Sequence, residues 1–411
     1  MRIAMFSEVP TFNPILPNGI SSFIEAVSKQ LVKLGHEIHV FEQIQYFGQK
    51  RKEEIRNNIT IHRTFSLPMS RYQDMRTPFP LGVVFRGTKE KFDIIHAHGP
   101  VLGIAASILA KKQGVPKIVT YHTPGKHYVN YIPRTFSPLR AHTFIDWWEK
   151  IAYNSFDLIL TPAPKIKKDL TDRGFAAKKI FVLPNCVDLN ENHKRITPER
   201  VQSIRDRYDL NGKKIVVYVG RMSPEKRVPN IINLVPQIIK ENPDSHFLMV
   251  GKGPYLDSYR SLAKKVAPKD ITFTGYVSNK DLSNIMQMCT IGVIFVDGAQ
   301  VFDITILNYW SNQLPVCARK AGGMVDVIRH NDNGLLFTQE TEASSQILTL
   351  LQDAKLRKKL GTKGYETVKN KYSVERVTQQ LLDYYKLAAQ KFHIQGDNFF
   401  QIILKYLSRI R

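Results

Sequence analysis

The sequence predicts an α/β protein built from two doubly wound, Rossmann-like domains. Short runs rich in Ile and Val alternate with longer amphipathic segments along almost the whole chain of 411 residues. This alternation is typical of βαβ units, in which parallel strands are joined by helical crossovers. The pattern lapses once, in a polar stretch at 190–207, and then resumes. A chain of this length is expected to form two or three domains.

Each half of the chain contains its own series of strand candidates. The first series lies at 3–6, 38–41, 94–96, 118–121, 158–160 and 180–183, with helices predicted at 20–34 and 102–112 among the segments between them. The second series lies at 214–219, 246–250, 271–274, 291–295 and 314–317. The predicted domains are therefore 1–190 and 191–371, facing a cleft, with ligands at the carboxyl ends of the strands.

The segment 372–411 is predicted to form a long helix at 372–392 and an amphipathic tail. Six apolar residues of the tail fall on one helical face, with the basic residues elsewhere; the six are Phe399, Ile402, Ile403, Tyr406, Leu407 and Ile410. Such a face either packs on the protein or lies on a membrane surface, and the pattern favours neither.

Composition narrows the classes of partner and compartment. The net charge of +23 favours a polyanionic partner: nucleic acid, an anionic membrane surface or phosphorylated substrates. No nucleic-acid-binding module accompanies the charge, so nucleic acid is not expected. The three widely spaced cysteines and the lack of a signal-peptide pattern or a long apolar run predict a reduced, cytoplasmic protein with at most peripheral membrane contact.

The stretch from Gly220 to Lys226 carries the clearest chemical signal. Arg221 and Lys226 follow directly on a predicted strand, so both cations emerge at its carboxyl end. Two fixed cations there can bind a pyrophosphate and stabilise the charge that develops as a sugar bond breaks. An ordinary solvated helix start, paired with Glu225, is the alternative. The succession of glycine turns after the next two strands, Gly251 to Gly253 and Gly275, favours the phosphate site, because glycine lets the backbone approach a nucleotide.

These motifs, in this order, resemble the retaining GT-B glycosyltransferases of family 4 over nearly the whole chain. The resemblance is carried by the Gly19 loop, Gly35-His36-Glu37, Pro184-Asn185-Cys186-Val187-Asp188, Gly220-Arg221 with Glu225-Lys226, and Gly322-Gly323. It implies the GT-B fold with a C-terminal crossover helix, and a sugar-nucleotide donor.

The resemblance also implies roles for individual residues. Arg221 and Lys226 would bind the donor diphosphate, and His122, at a strand end in the first domain, would face the transferred sugar and the acceptor; a core histidine is the alternative for His122. These three are the expected catalytic residues. The expected donor-binding residues are Gly19, Gly251, Gly253, Tyr276, Val277, Gln300, Thr305 and Asn308.

No metal or other cofactor is expected. His96 and His98 alternate along a strand and are taken to point to opposite faces, and no carboxylate cluster joins them. Arg221 and Lys226 would neutralise the diphosphate instead.

The sequence departs from the family pattern in the second domain. The family's two glutamates, eight positions apart, are replaced by Gln300 and Asn308, which can hydrogen-bond sugar hydroxyls but bring no charge. Asp303 stands where the family has Gly beside the donor phosphates, and a carboxylate there repels pyrophosphate unless it turns away or pairs with a cation. Asp326 stands where Glu is usual, which keeps the charge.

A finer similarity, to bacterial diacylglycerol glycosyltransferases, rests on Tyr121-His122-Thr123 and the segment 128–132. It implies transfer of glucose or galactose from a UDP-sugar to a lipid such as diacylglycerol, at the inner face of the cell membrane. Basic residues interleaved with aromatic ones suit an anionic membrane surface; they are Lys126, Arg134, Phe136, Arg140, Phe144, Trp147, Trp148 and Lys150. A soluble or polyprenyl-linked glycan acceptor and a catalytically silent GT-B binding protein remain the alternatives.

Overall fold

The computed structural model divides the chain into two compact units. One comprises the chain up to Asn185 together with the segment from Val374 onwards, and the other is Cys186–Ser373. The residues described are 1–12, 19–44, 52–54, 58–68, 76–78, 82, 84, 87–122, 125, 138–192, 196–296 and 302–394. The amphipathic face predicted for the tail lies outside them.

The first unit contains a sheet whose strand order is β10-β9-β8-β7-β1-β2-β4-β3. The strands are β1 Arg2–Ser7, β2 Glu37–Gln43, β3 Lys52–Glu54, β4 Ile59–Thr64, β7 Ile94–His98, β8 Lys117–Thr120, β9 Leu158–Thr161 and β10 Ile180–Val182. All neighbours pair in parallel except β3, which is antiparallel to β4. A separate hairpin joins β5 Ser66–Pro68 and β6 Arg76–Pro78.

The first unit also contains the following helices. Their bounds are Gly19–Lys33, Pro100–Gln113, Pro138–Asn154, Pro164–Asp172 and Val374–Ile394, with a 3₁₀ turn at Ala177–Lys179. The last of them comes after the second unit in the chain, yet it packs on helix Gly19–Lys33 and β8. The predicted crossover helix is thus part of the first unit.

The second unit is a parallel sheet in the order β13-β12-β11-β14-β15-β16. Its strands are β11 Lys214–Val219, β12 Ser245–Val250, β13 Ile271–Gly275, β14 Ile291–Ile294, β15 Val316–Arg319 and β16 Leu335–Phe337. Alternate residues of β11 belong to two apolar clusters, with Val216 in one and Val217 in the other. The strand is therefore buried on both faces, as its continuous Ile and Val content predicts.

Helices cover both faces of the second sheet. Their bounds are Leu189–Asn192, Pro198–Tyr208, Val228–Glu241, Leu256–Val266, Asn279–Met288, Thr305–Ser311, Met324–Val327, Glu340–Gln352 and Ala354–Thr367, with a 3₁₀ turn at Pro224–Lys226 and a π turn at Val368–Tyr372. The prediction of two Rossmann-like α/β domains is confirmed. No described helix is both long enough and apolar enough to cross a bilayer.

Candidate active site

In the second unit the strand order reverses between β11 and β14, the point at which open α/β sheets bind ligands. Arg221 lies just beyond β11 and is exposed. Lys226 ends the 3₁₀ turn Pro224–Lys226, and its side chain is 13% exposed. Asp303 follows β14 and is 6% exposed. The two predicted diphosphate cations and the anomalous aspartate therefore lie at the same edge of the sheet.

Asp303 is bound on both of its carboxylate oxygens. Oδ2 lies 2.6 Å from the Lys226 ammonium, and Oδ1 accepts the backbone N–H of Thr305 at 3.0 Å. Burial, the largest effect, raises the pKa of the Asp303 carboxyl, but Lys226 and Thr305 together lower it further, so the net pKa is below its ordinary value. Asp303 is therefore ionised at neutral pH and neutralises the charge of Lys226.

The glycine turns after β11, β12 and β13 pack backbone against backbone. Gly220 N–H donates to Val250 O at 3.0 Å, and Gly251 N–H donates to Gly275 O at 2.9 Å. Gly251 has φ +137°, and a Cβ there would collide with the carbonyl oxygen of Gly220. A Cβ on Gly253 would likewise meet the Met222 backbone. These glycines let adjacent turns approach each other at the sheet edge; direct donor contact by Gly251 and Gly253 stays a prediction.

Tyr276 and Val277 line a cavity of about 220 Å³ beside the end of β13. Arg200 and Asp281, which pair at 2.7 Å, contribute polar atoms to its wall. The Lys252 ammonium lies 5.8 Å from the centre of the Tyr276 ring. A planar aromatic side chain beside a nearby cation suits a nucleotide base chemically, and this assignment stays a prediction.

The remaining predicted donor residues lie on or before helix Thr305–Ser311. Thr305 is buried, and Asn308 is partly exposed one turn later. Tyr309 connects the same helix to β11. Its hydroxyl donates to Val217 O at 3.1 Å and accepts the N–H of Val219 at 3.0 Å. Gln300 lies outside the described residues.

In the first unit His122 follows β8 and pairs with a second histidine. Its Nε2 lies 3.0 Å from Nδ1 of His98, and the two rings stack at 5.3 Å. Burial lowers the pKa of His122 to about 3 and that of His98 well below its ordinary value. Both imidazoles are neutral at physiological pH, so His122 is suited to hydrogen-bonding hydroxyl groups rather than to supplying charge.

The expectation that His96 and His98 point to opposite faces is wrong. Their ring centres are 4.2 Å apart, as the two-residue period of a strand dictates for positions i and i+2. His96 still offers no free ligand atom, because Nδ1 contacts the Tyr385 hydroxyl at 2.9 Å and Nε2 contacts Thr120 Oγ1 at 2.8 Å. Both contacts satisfy His96 within the fold.

Glu8, which no sequence motif indicates, lies at the reversal of strand order in the first unit, between β1 and β7. Its Oε1 accepts the backbone N–H groups of Val101 and Leu102, at the start of helix Pro100–Gln113. Burial, the largest effect, raises the pKa of Glu8 to about 7. Glu8 thereby fixes the turn that follows His98. The sequence signal that could have identified Glu8 was its position just after a predicted strand.

Gly19, a predicted donor-binding residue of the first unit, is the first residue of helix Gly19–Lys33.

A buried charge cluster contacts Tyr121 and Gly125, which lie on either side of His122 in the sequence. Glu149, 1% exposed, accepts the N–H of Gly125 at 2.8 Å and pairs with Arg173 at 2.6 Å. Arg173 also donates to the Tyr121 hydroxyl at 3.0 Å and pairs with Asp146 at 2.6 Å. Asp146 and Glu149 of helix Pro138–Asn154 therefore help to position Tyr121, through Arg173, and Glu149 positions Gly125 directly.

Another group, His39, His62 and Glu90, has ligand atoms close enough to share a metal ion. His39 Nδ1 lies 2.9 Å from His62 Nε2, and His39 Nε2 lies 2.8 Å from Glu37. Arg2 pairs with both Glu37 and Glu90. Because a guanidinium already supplies positive charge at these carboxylates, the cluster is satisfied by protein contacts.

Comparison with known families identifies both units. Residues 17–191 match Glycosyltransferase Family 4, and residues 201–367 match Glycosyl transferases group 1. Each unit thus matches a glycosyltransferase family model, and the chain is a glycosyltransferase. One solved structure that this glycosyltransferase resembles is Anabaena Alr3699/HepE in complex with UDP-glucose, with a TM-score of 0.73 and 16% sequence identity. The match covers 94% of this chain and 99% of that chain. The likeness confirms the GT-B fold.

Relatives of this glycosyltransferase include a sulfoquinovosyl transferase and a synthase named for a glucosyl diacylglycerol. It is 27% identical to the sulfoquinovosyl transferase SQD2 of Arabidopsis thaliana, over 96% of this chain and 76% of that protein. It is 23% identical to the alpha-monoglucosyldiacylglycerol synthase of Acholeplasma laidlawii, over 88% of this chain and 90% of that protein. The predicted resemblance to glycolipid synthases is confirmed at this level.

Proposed function

We propose that this glycosyltransferase moves glucose or galactose from a UDP-sugar to the hydroxyl of a lipid such as diacylglycerol, with retention of configuration. The observation that carries the proposal is the position of Arg221 and Lys226 at the strand-order reversal of the second unit. The UDP and UDP-glucose complexes of Alr3699/HepE and the name of the Acholeplasma synthase support the donor and acceptor classes.

The reaction requires positive charge more than a general base. The acceptor oxygen forms a bond to the anomeric carbon while the bond from that carbon to the diphosphate breaks, and the departing phosphate oxygen takes the acceptor proton. Arg221 and Lys226 stabilise the developing charge on the diphosphate, and no metal is required for that purpose. Neutral His122 hydrogen-bonds the sugar or the acceptor hydroxyl and helps to orient them.

Exposed aromatic side chains on helix Pro138–Asn154 support a lipid acceptor. Phe144 is 61% exposed, and its ring centre lies 5.8 Å from that of the partly exposed Trp147. Neighbouring Trp148 is also partly exposed. Aromatic rings of this kind insert at the level of lipid headgroups. The protein would then work peripherally at the inner face of the cell membrane.

The decisive experiment is turnover. Purified protein incubated with labelled UDP-glucose or UDP-galactose and diacylglycerol liposomes should form glycolipid, and Arg221→Ala should lower the rate at least about 100-fold, because it removes charge stabilisation from the transition state. Lack of product with every common nucleotide sugar would refute the proposal. Turnover with soluble glycans equal to that with diacylglycerol liposomes would indicate a soluble acceptor instead of a lipid.

Vesicle flotation tests the lipid surface separately. Phe144→Ser should reduce binding to anionic vesicles several-fold, whereas Phe65→Ser, which alters a phenylalanine of similar exposure elsewhere in the unit, should not. If both variants float like the unchanged protein, helix Pro138–Asn154 is not the membrane contact.

The pairing of Lys226 with Asp303 favours one second candidate, a silent GT-B protein that binds nucleotide sugar without turnover. Calorimetry with UDP alongside the turnover assay decides between the two. UDP binding without product under all donor and acceptor combinations would select the silent protein.

A further inference from the structure

We propose that Asp303 is a built-in competitor of the donor diphosphate for Lys226, and that it weakens the binding of both donor and nucleoside diphosphate product. The inference rests on the proposed function, since it assigns a regulator to the same phosphate site. It predicts that this chain binds its nucleotide more weakly than the same chain with a neutral residue at 303.

The first argument is position. Lys226 follows β11 and Asp303 follows β14, the two strands that flank the reversal of strand order. A side chain that reaches across this point lies where phosphates bind in open α/β sheets. The Lys226 ammonium and the Asp303 carboxylate meet there at 2.6 Å, with both side chains largely removed from solvent.

The second argument is chemical similarity. Asp303 accepts from an ammonium through one oxygen and from the backbone N–H of Thr305 through the other. An ammonium and a backbone N–H are also the donors with which proteins hold phosphate oxygens. The carboxylate thus uses hydrogen-bond donors that a diphosphate would use.

The third argument is that the neighbouring carboxylate does not substitute for Asp303. Glu225, beside Lys226 in sequence, accepts the Ser223 hydroxyl at 2.6 Å through Oε1. The nearby Tyr218 hydroxyl donates to the carbonyl oxygen of Arg221 at 2.9 Å and carries no charge, because burial raises its pKa well above the ordinary value. Asp303, rather than Glu225, is therefore the described carboxylate whose removal would lower the negative charge beside Lys226.

The consequence is a balance between capture and release. A diphosphate that enters the site either displaces the carboxylate or shares Lys226 with it, and in both cases repulsion between like charges lowers the affinity. The same repulsion speeds departure of the nucleoside diphosphate after transfer. Product release limits the turnover of many enzymes, so Asp303 would keep the product from inhibiting the enzyme.

The test compares UDP binding by isothermal titration calorimetry for the unchanged protein, Asp303→Asn and Asp303→Gly. Asp303→Asn keeps the shape of the side chain and removes its charge. Removal of one carboxylate at such a distance should tighten UDP binding by at least about tenfold. UDP should also inhibit transfer by the variant at correspondingly lower concentration.

Asp244→Asn is the matched control. Asp244 is exposed and directly precedes β12, at the amino end of that strand, so the variant makes the same change of net charge at the opposite edge of the sheet. UDP affinity should stay within about twofold of the unchanged protein, because solvent screens an exposed charge.

A second comparison isolates Lys226. Lys226→Ala should weaken UDP binding far more in the Asp303→Asn background than in the unchanged protein, because in that background the Asp303 carboxylate no longer offsets the charge of Lys226. Circular dichroism confirms that each variant is folded.

Three results would overturn the inference. Equal UDP affinity in the unchanged protein and both Asp303 variants would show that the carboxylate does not oppose the ligand. Weaker binding in both variants would show that Asp303 orients Lys226 for phosphate. Failure of UDP, GDP and ADP to bind any variant would remove the nucleotide site itself, and the proposed function with it.

Discussion

Each unit extends a carboxylate across the point where its strand order reverses, but the two carboxylates have different partners. Glu8, after β1, accepts backbone N–H groups at the start of the helix that follows β7. Asp303, after β14, faces the ammonium of Lys226 at 2.6 Å. Asp303 is buried and Glu8 is partly buried, yet the pKa of Glu8 rises to about 7 and the pKa of Asp303 falls.

The difference shows what a cation adds to a buried carboxylate. Backbone donors alone leave the cost of burial uncompensated in Glu8, so its charged form is disfavoured. Lys226 outweighs that cost in Asp303 and keeps it ionised. The first unit therefore holds a carboxyl that titrates near neutrality, and the second holds a permanent ion pair.

The largest expected effect comes from removing the cation. Lys226→Ala should lower the free energy of unfolding at pH 7 by about 3 to 5 kcal/mol, because it leaves a buried carboxylate without its partner. The pKa of Asp303 should then rise, as that of Glu8 does. Urea unfolding at pH 7 and pH 5 measures both effects, since the deficit should shrink at the lower pH.

The control for this prediction is the double variant with Asp303→Asn, in which no buried charge remains. It should recover most of the lost free energy. A double variant as unstable as Lys226→Ala would mean that Lys226 contributes by packing.

A smaller effect is expected when the carboxyl of Glu8 is made neutral. Below about pH 4.5 Glu8 is protonated in the folded and unfolded chain, so its stabilising effect is fully present there and is lost as pH rises through its folded pKa of about 7. Relative to the unchanged protein, Glu8→Gln should therefore gain about 2 to 3 kcal/mol of unfolding free energy between pH 5 and pH 8.

The difference in unfolding free energy between Glu8→Gln and the unchanged protein separates the effect of Glu8 from that of the buried histidines. His96, His98 and His122 have lowered pKa values and reduce stability as pH falls below their ordinary value, in both proteins alike. A difference in unfolding free energy that does not vary with pH would contradict the assignment to Glu8.

The smallest expected effect comes from removing the Thr305 hydroxyl, an uncharged hydrogen-bond donor to Asp303. Thr305→Val removes the hydroxyl that helps to lower the pKa of Asp303 but leaves Lys226 in place. The free energy of unfolding at pH 7 should fall by about 1 kcal/mol. Chemical denaturation measures this loss; a loss as large as that of Lys226→Ala would mean that the hydroxyl, and not the cation, dominates.

The sequence predicted β11 from its continuous apolar run and missed β4, whose apolar pattern is interrupted. The run at 214–219 became β11 with the same bounds. β4 was missed because Thr60, His62 and Arg63 interrupt its apolar pattern, although Arg63 is buried in an ion pair with Glu42 at 2.8 Å. Such a pair depends on a tertiary partner, which local patterns do not reveal.

The strand-end positions of the candidate residues were predictable, whereas their side-chain partners were not. Arg221, Lys226 and His122 were placed at strand ends because strand boundaries follow from local sequence. The partners of two of them, Asp303 for Lys226 and His98 for His122, depend on which strands are neighbours in the sheet. Glu8 was missed because a single glutamate after a strand has no motif, and only its contact with a distant helix reveals its position.

The return of helix Val374–Ile394 to the first unit has a consequence for how the protein is made. His96 lies on a central strand, and its Nδ1 contacts the hydroxyl of Tyr385, 289 positions later in the chain. Tyr384 similarly donates to Val182 O at 2.9 Å. During synthesis the first unit emerges from the ribosome long before the helix that completes it. The first unit therefore stays incompletely packed until the second unit and helix Val374–Ile394 have been translated.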